Sequence, residues 1–258
     1  LQSHVGKEVL IKAWVSVRSD QGKMVFFDFR DRSGSVQGVV LPKSEAINTA
    51  KEVRPEYVVE ATGIVNKRPE KNVNAEVQNG DIELEVKTLT ILSKADIPFE
   101  LEADLNIDTR FDYRPFTLRS KRDKAIFAVL ATIVDAFRAS LRAQEFVAFQ
   151  APALVGGDAE GGAAVFEVPD YYGKKAYLAT SGQLYKQIMV GVFERVMTIA
   201  KTFRAEKSAT TRHLSEITQL EFEMAFIDSH LDVMGVLEKV MRDIVSKVTE
   251  THADAFSI

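Results

Sequence analysis

Between Val9 and Leu92 the apolar residues recur mostly at every second position. Val9, Ile11, Ala13, Val15 and Val17 alternate with Leu10, Lys12, Trp14 and Ser16, the period of a half-buried strand. Asp20-Gln21-Gly22-Lys23 reads as a turn, Val25 to Arg30 as a second strand, and Val36 to Leu41 as a third that ends at Pro42. A short helix follows over 43–53 with Ser44 as its N-cap. Strands over 57–65 and 82–92, separated by a polar loop, complete five. From Ser93 to Arg119 the alternation stops and Pro98 and Pro115 appear, which marks a connection. The period then changes to three and four. Ile126, Val129, Leu130, Ile133, Val134, Phe137 and Leu141 predict an amphipathic helix from about Lys121 to Gln144. Phe146 to Pro152 reads as a strand stopped by proline, and Ala176 to Gln187 as a strand running into a helix. A last helix, capped by Asp228 or Ser229, carries a stripe through Leu231, Met234, Leu237, Val240, Met241, Ile244 and Val248 that is expected to be buried.

The chain has 258 residues, room for one large domain or two smaller ones. Its net charge of −4 carries no general polyanion signature, so any nucleic-acid contact has to come from local patches. With no cysteine, a disulfide framework, a thiolate metal site and a thiol nucleophile are all excluded. No apolar run approaches the ~20 residues that span a bilayer, and no signal-peptide pattern opens the chain. The expected setting is the cytoplasm, without membrane or DNA as partners. His230 and His252 read as solvent-facing, and His4 lies near the chain start.

The chemistry concentrates between Thr202 and Asp228. Arg204 and Glu206 lie two apart, on one face of an extended strand. A polar segment then brings Arg212 and His213 back, and Gln219, Glu221 and Glu223 repeat the two-residue spacing on the return. An antiparallel hairpin of this kind carries cations and carboxylates on one surface, which suits a polyphosphate and an amine-bearing ligand. The same spacing also suits a salt-bridged surface hairpin.

Phe203-Arg204-Ala205-Glu206, a variable loop and Arg212-His213 resemble motif 2 of the class II aminoacyl-tRNA synthetases, and the flanking residues resemble their aspartyl, asparaginyl and lysyl subgroup. The long helix, strand and proline at 121–152 resemble motif 1, which implies a homodimer interface; an ordinary core helix has the same periodicity. Gly156 to Ala163 resembles the family's Glu-Gly-Gly-Ala element, in which Glu160 would meet the substrate ammonium. Ala176 to Gln187 resembles the amino-acid recognition strand and adds Ser181, Gln183, Leu184, Tyr185 and Lys186.

At the N-terminus, five strands with a helix between the third and fourth follow the order of the OB-fold, a small barrel that often binds oligonucleotides. Val25 to Gln37 resembles the anticodon-binding barrel of the aspartyl subgroup. By that match Phe26 stacks the central anticodon base, Gln37 reads its edge, and Arg18 and Arg30 neutralise phosphates. Phe26, Phe27 and Phe29 cannot all face one way, so at least one belongs to the core.

The expectation is therefore an α+β chain. An OB-fold anticodon-binding domain spans 1–95, a hinge 96–120, and the N-terminal part of a class II antiparallel-sheet catalytic domain 121–258. The resemblance implies an aspartate–tRNA ligase, archaeal-like or non-discriminating. It would use ATP and Mg2+ to form aspartyl-adenylate and charge tRNA(Asp), and tRNA(Asn) as well in the non-discriminating case. Arg204 would be the catalytic cation; Arg204, Ala205, Glu206, Arg212, His213 and Leu214 would hold ATP. Arg204, Gln219 and Glu221 would join the recognition residues around the amino acid, and Lys186 would pair with the substrate's side-chain carboxylate because a buried lysine lacking a partner is costly. No metal-ligand set is visible. Thr180-Ser181-Gly182-Gln183 and Glu221 look asparaginyl-like, Ile217 replaces a common aromatic, and Pro115 stands where a bulky residue is usual. Nothing before Ile258 resembles motif 3 or its acidic magnesium ligands, so the chain is expected to be a fragment. Asparaginyl ligase and a non-catalytic tRNA-binding module remain the other readings.

Overall fold

The computed structural model describes residues 1–157, 164–208, 210 and 213–257, with the backbone alone at 170 and 171. Two compact units divide the chain, Leu1–Thr109 and Arg110–Ile258.

In the first unit β1 (Glu8–Gln21), β2 (Met24–Asp31), β3 (Gly34–Val40), β4 (Val58–Lys67) and β5 (Ile82–Ser93) form a closed barrel in the order β1-β2-β3-β5-β4. The alternation closes it: Ala13, Val15, Val25, Phe27, Phe29, Val59, Val65 and Leu84 point inward as one apolar core. Phe27 and Phe29 stack there with ring centroids 5.3 Å apart. Gly38 is required beside them, since a Cβ at that position would sit 2.3 Å from the Phe29 ring. One expectation breaks at a β-bulge between Val15 and Val17. The extra residue, Ser16, reverses the alternation, so Val17 points outward instead of continuing the core series. The helix α1 (Ile47–Glu52) is shorter than expected and Ser44 does not cap it; the Ser44 hydroxyl donates to the carbonyls of Val86 and Lys87 at 3.0 and 3.1 Å. The polar loop after β4 is anchored by Gln78 and Asn79, whose amides donate to the Ser33 and Ser35 carbonyls.

The second unit begins within α2 (Ile107–Asp112) and continues through α3 (Arg114–Thr117) and the long α4 (Lys121–Arg142). The Ser120 side chain caps α4 by accepting from the Asp123 N–H at 3.2 Å. The buried Asp123 carboxylate accepts from Arg110 (2.8 Å), Arg114 (3.0 Å) and Ser120 (3.1 Å). Part of the segment expected to be a hinge is thus tied to the start of α4. Next come β6 (Val147–Ala148), β7 (Leu154–Val155), β8 (Glu167–Tyr171), β9 (Lys174–Leu178), α5 (Gln183–Phe193), β10 (Arg195–Phe203), β11 (Glu216–Met224) and α6 (His230–Thr251). One sheet runs β11-β10-β6, with β10 and β11 antiparallel and β6 added in parallel; a second runs β7-β9-β8. The strand expected at 146–152 is only two residues long.

Met197, Ile199, Leu220 and Phe222 share one face of the β10–β11 pair and join Phe137 and Leu141 of α4 and Val240, Ile244 and Val248 of α6 in a core. A Ser229–Asp232 capping box starts α6. Of its apolar stripe only Val240, Ile244 and Val248 are buried; Leu231, Met234, Leu237 and Met241 are exposed. His252 is not fully solvent-facing: its Nε2 lies 2.7 Å from the Thr132 hydroxyl of α4, and its surface is half-buried.

Candidate active site and barrel face

The opposite face of the β10–β11 pair carries the polar residues. The register sets Val196 against Glu223, Thr198 against Glu221, Ala200 against Gln219 and Thr202 against Ile217. Side chains directly opposed across an antiparallel pair share a face, so a row of small β10 residues forms a floor beside Gln219, Glu221 and Glu223. The ladder runs on past β10: the Arg204 N–H donates to the Ser215 carbonyl at 3.0 Å, and the Ala205 N–H to the Ala164 carbonyl at 2.8 Å. The two-residue period then keeps Arg204 on the side of Thr202, half-buried.

Lys186 reaches this face from α5. Its ammonium lies 3.4 Å from one oxygen each of Glu221 and Glu223, and its side chain is 14% exposed, against 11% for Glu221. The expectation that Lys186 lacks a partner inside the protein is therefore corrected. Burial of one ammonium is offset here by two carboxylates, which leave a net negative charge on the cluster. Sequence reasoning did not select Glu223 for the site, although it continues the spacing of Gln219 and Glu221. Among the described residues Thr198 Oγ1 and Thr202 Oγ1 are buried with no hydrogen-bond partner, and the buried Glu221 Oε2 has the Lys186 ammonium at 3.4 Å but no hydrogen bond. Polar atoms left in this condition are costly and concentrate where ligands bind. Gly182 makes room for the carboxylate, because a Cβ there would stand 2.9 Å from Glu221 Oε2.

Ser181 is buried, and its hydroxyl accepts from the Gln183 N–H at 3.1 Å, just inside the start of α5. A separate pocket of about 170 Å³ is lined by Ser181, Leu184 and Tyr185 with Val155, Gly156, Gly157, Ala179 and Thr180. Lys186, Gln219, Glu221 and Arg204 do not line it. Gln183 is exposed and Glu206 half-buried. His213 and Leu214 are exposed, with His213 Nδ1 2.6 Å from the Thr210 hydroxyl. Arg212 and Glu160 lie outside the described residues. Among the described residues no three His, Asp or Glu side chains cluster as a metal site, and no helix is long and apolar enough to cross a membrane.

On the barrel, Phe27 and Phe29 face inward, which leaves Phe26, Asp28 and Arg30 on the outer face of β2. Gln37 is directly opposite Asp28, and Phe26 is opposite Ser19 and Val39. Phe26 and Gln37 therefore share one surface. Burial pushes the Asp28 carboxyl above its ordinary range, and the nearby Arg68 charge pulls against that rise. Arg18 is not on this surface. It pairs with Phe27 in the register, donates to the Ala50 carbonyl at 3.2 Å, and holds Asp20 with two bonds of 2.8 and 2.9 Å. Arg30 is on it, with its guanidinium held by Glu56 at 2.5 and 2.7 Å and by Ser16 at 3.0 Å. Both arginines thus already hold a carboxylate. The bulge that displaces Val17 is also what lets Ser16 reach Arg30.

Comparison with known proteins covers both units. Residues 106–257 match the family described as tRNA synthetases class II (D, K and N), and residues 9–92 match the OB-fold nucleic acid binding domain. The aspartate–tRNA(Asp/Asn) ligase of Deinococcus radiodurans is 38% identical over 262 residues, which take in 100% of this chain and 57% of that protein. The asparaginyl-tRNA synthetase of Pyrococcus horikoshii, solved with asparaginyl-adenylate, superposes with a TM-score of 0.89 at 32% identity, covering 99% of this chain and 58% of the other. A putative aspartyl-tRNA synthetase from Leishmania major gives a TM-score of 0.86 at 30% identity, over 99% and 52% of the two chains. The chain spans a little over half the length of the relatives it matches.

Proposed function

This chain belongs to the class II tRNA synthetases of the aspartate, lysine and asparagine group, and we propose that it is the barrel and motif 1–motif 2 portion of an aspartate–tRNA ligase. The observation that carries the reading is Lys186, held 3.4 Å from both Glu221 and Glu223 on the polar face of the β10–β11 pair. An incoming side-chain carboxylate offers the ammonium a third partner, and the substrate's own α-ammonium offsets the negative charge of the two glutamates. Glu221 and Gln219 then face the substrate's α-ammonium, and Glu160 has the same role by resemblance.

In the first step the substrate α-carboxylate attacks the α-phosphate of ATP; a phosphorus–oxygen bond forms and the bond to pyrophosphate breaks. In the second, the terminal ribose hydroxyl of tRNA takes the aspartyl group and AMP leaves. Such chemistry depends on positioning and charge neutralisation more than on proton transfer. Arg204 can fork onto the carboxylate and the α-phosphate together. Glu206 accepts from the adenine amino group, Ala205 adjoins the nucleotide, and Arg212, His213 and Leu214 border the outer phosphates. No group of three His, Asp or Glu side chains that could hold magnesium occurs among the described residues.

On the barrel, Phe26 stacks the central anticodon base and Gln37 meets its edge, which makes tRNA the macromolecular partner. A second copy of the chain packs on α4 and β6. The exposure of Ile126, Phe127, Leu130 and Val147, all apolar, supports that interface. The working compartment is the cytoplasm, as for translation enzymes generally, and the domains are the barrel through residue 95, a connection through 120 and the catalytic portion beyond.

The asparaginyl reading keeps one specific support: Gly182 admits the longer Glu221 carboxylate. ATP–pyrophosphate exchange by the protein that carries this chain separates the two. Exchange stimulated by aspartate and not by asparagine is expected; stimulation by asparagine alone refutes the aspartate reading, and no exchange with either amino acid favours a tRNA-binding module without chemistry.

A further inference from the structure

We propose that Trp14 and Arg30 form a second nucleotide subsite on the barrel, where the base of an unpaired RNA nucleotide stacks beside the one held at Phe26. This rests on the reading of the barrel as a tRNA-binding face. Trp14 leaves β1 on the outer surface, directly opposite Arg30 in the register, and is 43% exposed. Its neighbours Ala13 and Val15 supply the core, so the indole is not what closes the barrel. A large exposed aromatic on a sheet that already displays Phe26 is a platform on which a base can stack.

Arg30 gives the platform its second component. Its guanidinium lies 5.8 Å from the centre of the Trp14 ring. Three of its donor contacts are taken within the protein, two by Glu56 and one by Ser16. The Glu56 side chain has no exposed surface, and its backbone sits at a φ of +66°, an uncommon conformation for a residue other than glycine. A guanidinium gripped in this way has its charge offset and its plane fixed. It is suited to lying flat against an aromatic ring or a base, and less to following a mobile phosphate.

Spacing and charge then identify the occupant. Phe26 and Arg30 are four residues apart on one strand, about 13 Å at ~3.3 Å per residue. That is well beyond the ~3.4 Å rise between stacked bases, so the two aromatics receive different, splayed nucleotides. Asp28 stands between them on the same face. A carboxylate there repels phosphate and accepts hydrogen bonds from base N–H groups. Bases rather than the backbone therefore face this row, as they do when single-stranded RNA lies on a sheet.

Trp14 is the only tryptophan in the chain, so its fluorescence reports the event directly. The experiment titrates the 258-residue protein with a short RNA stem-loop that carries a central loop uridine, and with versions in which one flanking loop nucleotide is abasic. Quenching of Trp14 is expected with the intact loop and lost with one of the abasic versions. Trp14→Ala is expected to weaken binding roughly tenfold and to leave the dependence of affinity on salt unchanged, with Trp14→Phe retaining most of the affinity. In a double-mutant cycle, Trp14→Ala and the responsible abasic loop should be non-additive.

If Phe26→Ala weakens binding while Trp14→Ala stays within about twofold of the wild type, the subsite is wrong and the tRNA-binding face stands. If neither substitution matters, both readings fall. A salt slope reduced by about one in Trp14→Ala overturns the subsite by assigning the loss to a phosphate contact. Should Trp14→Ala fail to fold by circular dichroism, the wild-type titration decides, and absence of quenching at saturating RNA overturns the proposal.

Discussion

The grip of Glu56 on Arg30 predicts an unequal response to removing either partner. The Glu56 side chain is fully buried, whereas that of Arg30 keeps 25% of its surface in water. Arg30→Met leaves a carboxylate with neither solvent nor its cation, and losing one partner of a buried pair costs about 3–5 kcal/mol. Glu56→Gln leaves a guanidinium that water can partly solvate and a side chain that still accepts hydrogen bonds, so about 1–2 kcal/mol is expected. Replacing both, Arg30→Met with Glu56→Leu, should recover most of the loss, because two apolar groups leave no charge to desolvate. Urea unfolding followed by Trp14 fluorescence reports the barrel alone. With a slope of about 1–3 kcal/mol per molar, a 3 kcal/mol loss moves the midpoint by at least about 1 M. Equal losses in the two single variants, or a loss below about 1 kcal/mol in Arg30→Met, would refute the reasoning.

Three further outcomes test the second unit. Lys186→Ala should abolish aspartate-stimulated pyrophosphate exchange in the intact protein while leaving ATP binding within about threefold by calorimetry; unchanged exchange kinetics would remove Lys186 from substrate recognition. Gly182→Ala has a compatible backbone, with φ at −83°, but its Cβ would meet Glu221 Oε2 at 2.9 Å; an increase of roughly tenfold in the KM for the amino acid is expected, at a stability cost under about 1.5 kcal/mol. Asp123 concerns pH. Burial raises its carboxyl, but hydrogen bonds from Arg114 and Ser120 and the Arg110 and Arg114 charges outweigh this and hold it below the ordinary value. Its stabilisation is therefore present above the unfolded pKa of about 3.9 and is lost as pH falls through the folded value. Asp123→Asn should cost about 1.5–3 kcal/mol at pH 7 and flatten the acid limb of the melting-temperature profile.

The barrel was largely legible because a period of two is a local property. Once Val25, Phe27 and Phe29 turn inward, Phe26, Asp28 and Arg30 must turn outward, and the choice between the phenylalanines follows from which set continues the apolar series. The bulge was not legible. One extra residue at Ser16 reverses every later side chain of β1, and only pairing with β2 reveals that Arg18 belongs with Phe27 and not with Phe26. The last helix shows the opposite limit, since periodicity marks an apolar stripe without saying what covers it. Four of its seven positions are exposed in this chain.

The hairpin from Thr202 to Asp228 shows where the two kinds of information separate. That Gln219, Glu221 and Glu223 share a face and that Arg204 continues the opposite strand can be read from residue order, because side-chain direction in a strand is set by parity alone. Which cation meets those carboxylates was decided by the tertiary structure. Lys186 lies more than thirty positions earlier, and only the packing of α5 beside β10 and β11 places its ammonium 3.4 Å from two glutamates. Arg30 follows the same rule on the barrel: its outward direction is local, but Glu56 reaches it from 26 residues away, and the fold alone makes that cation a fixed plane.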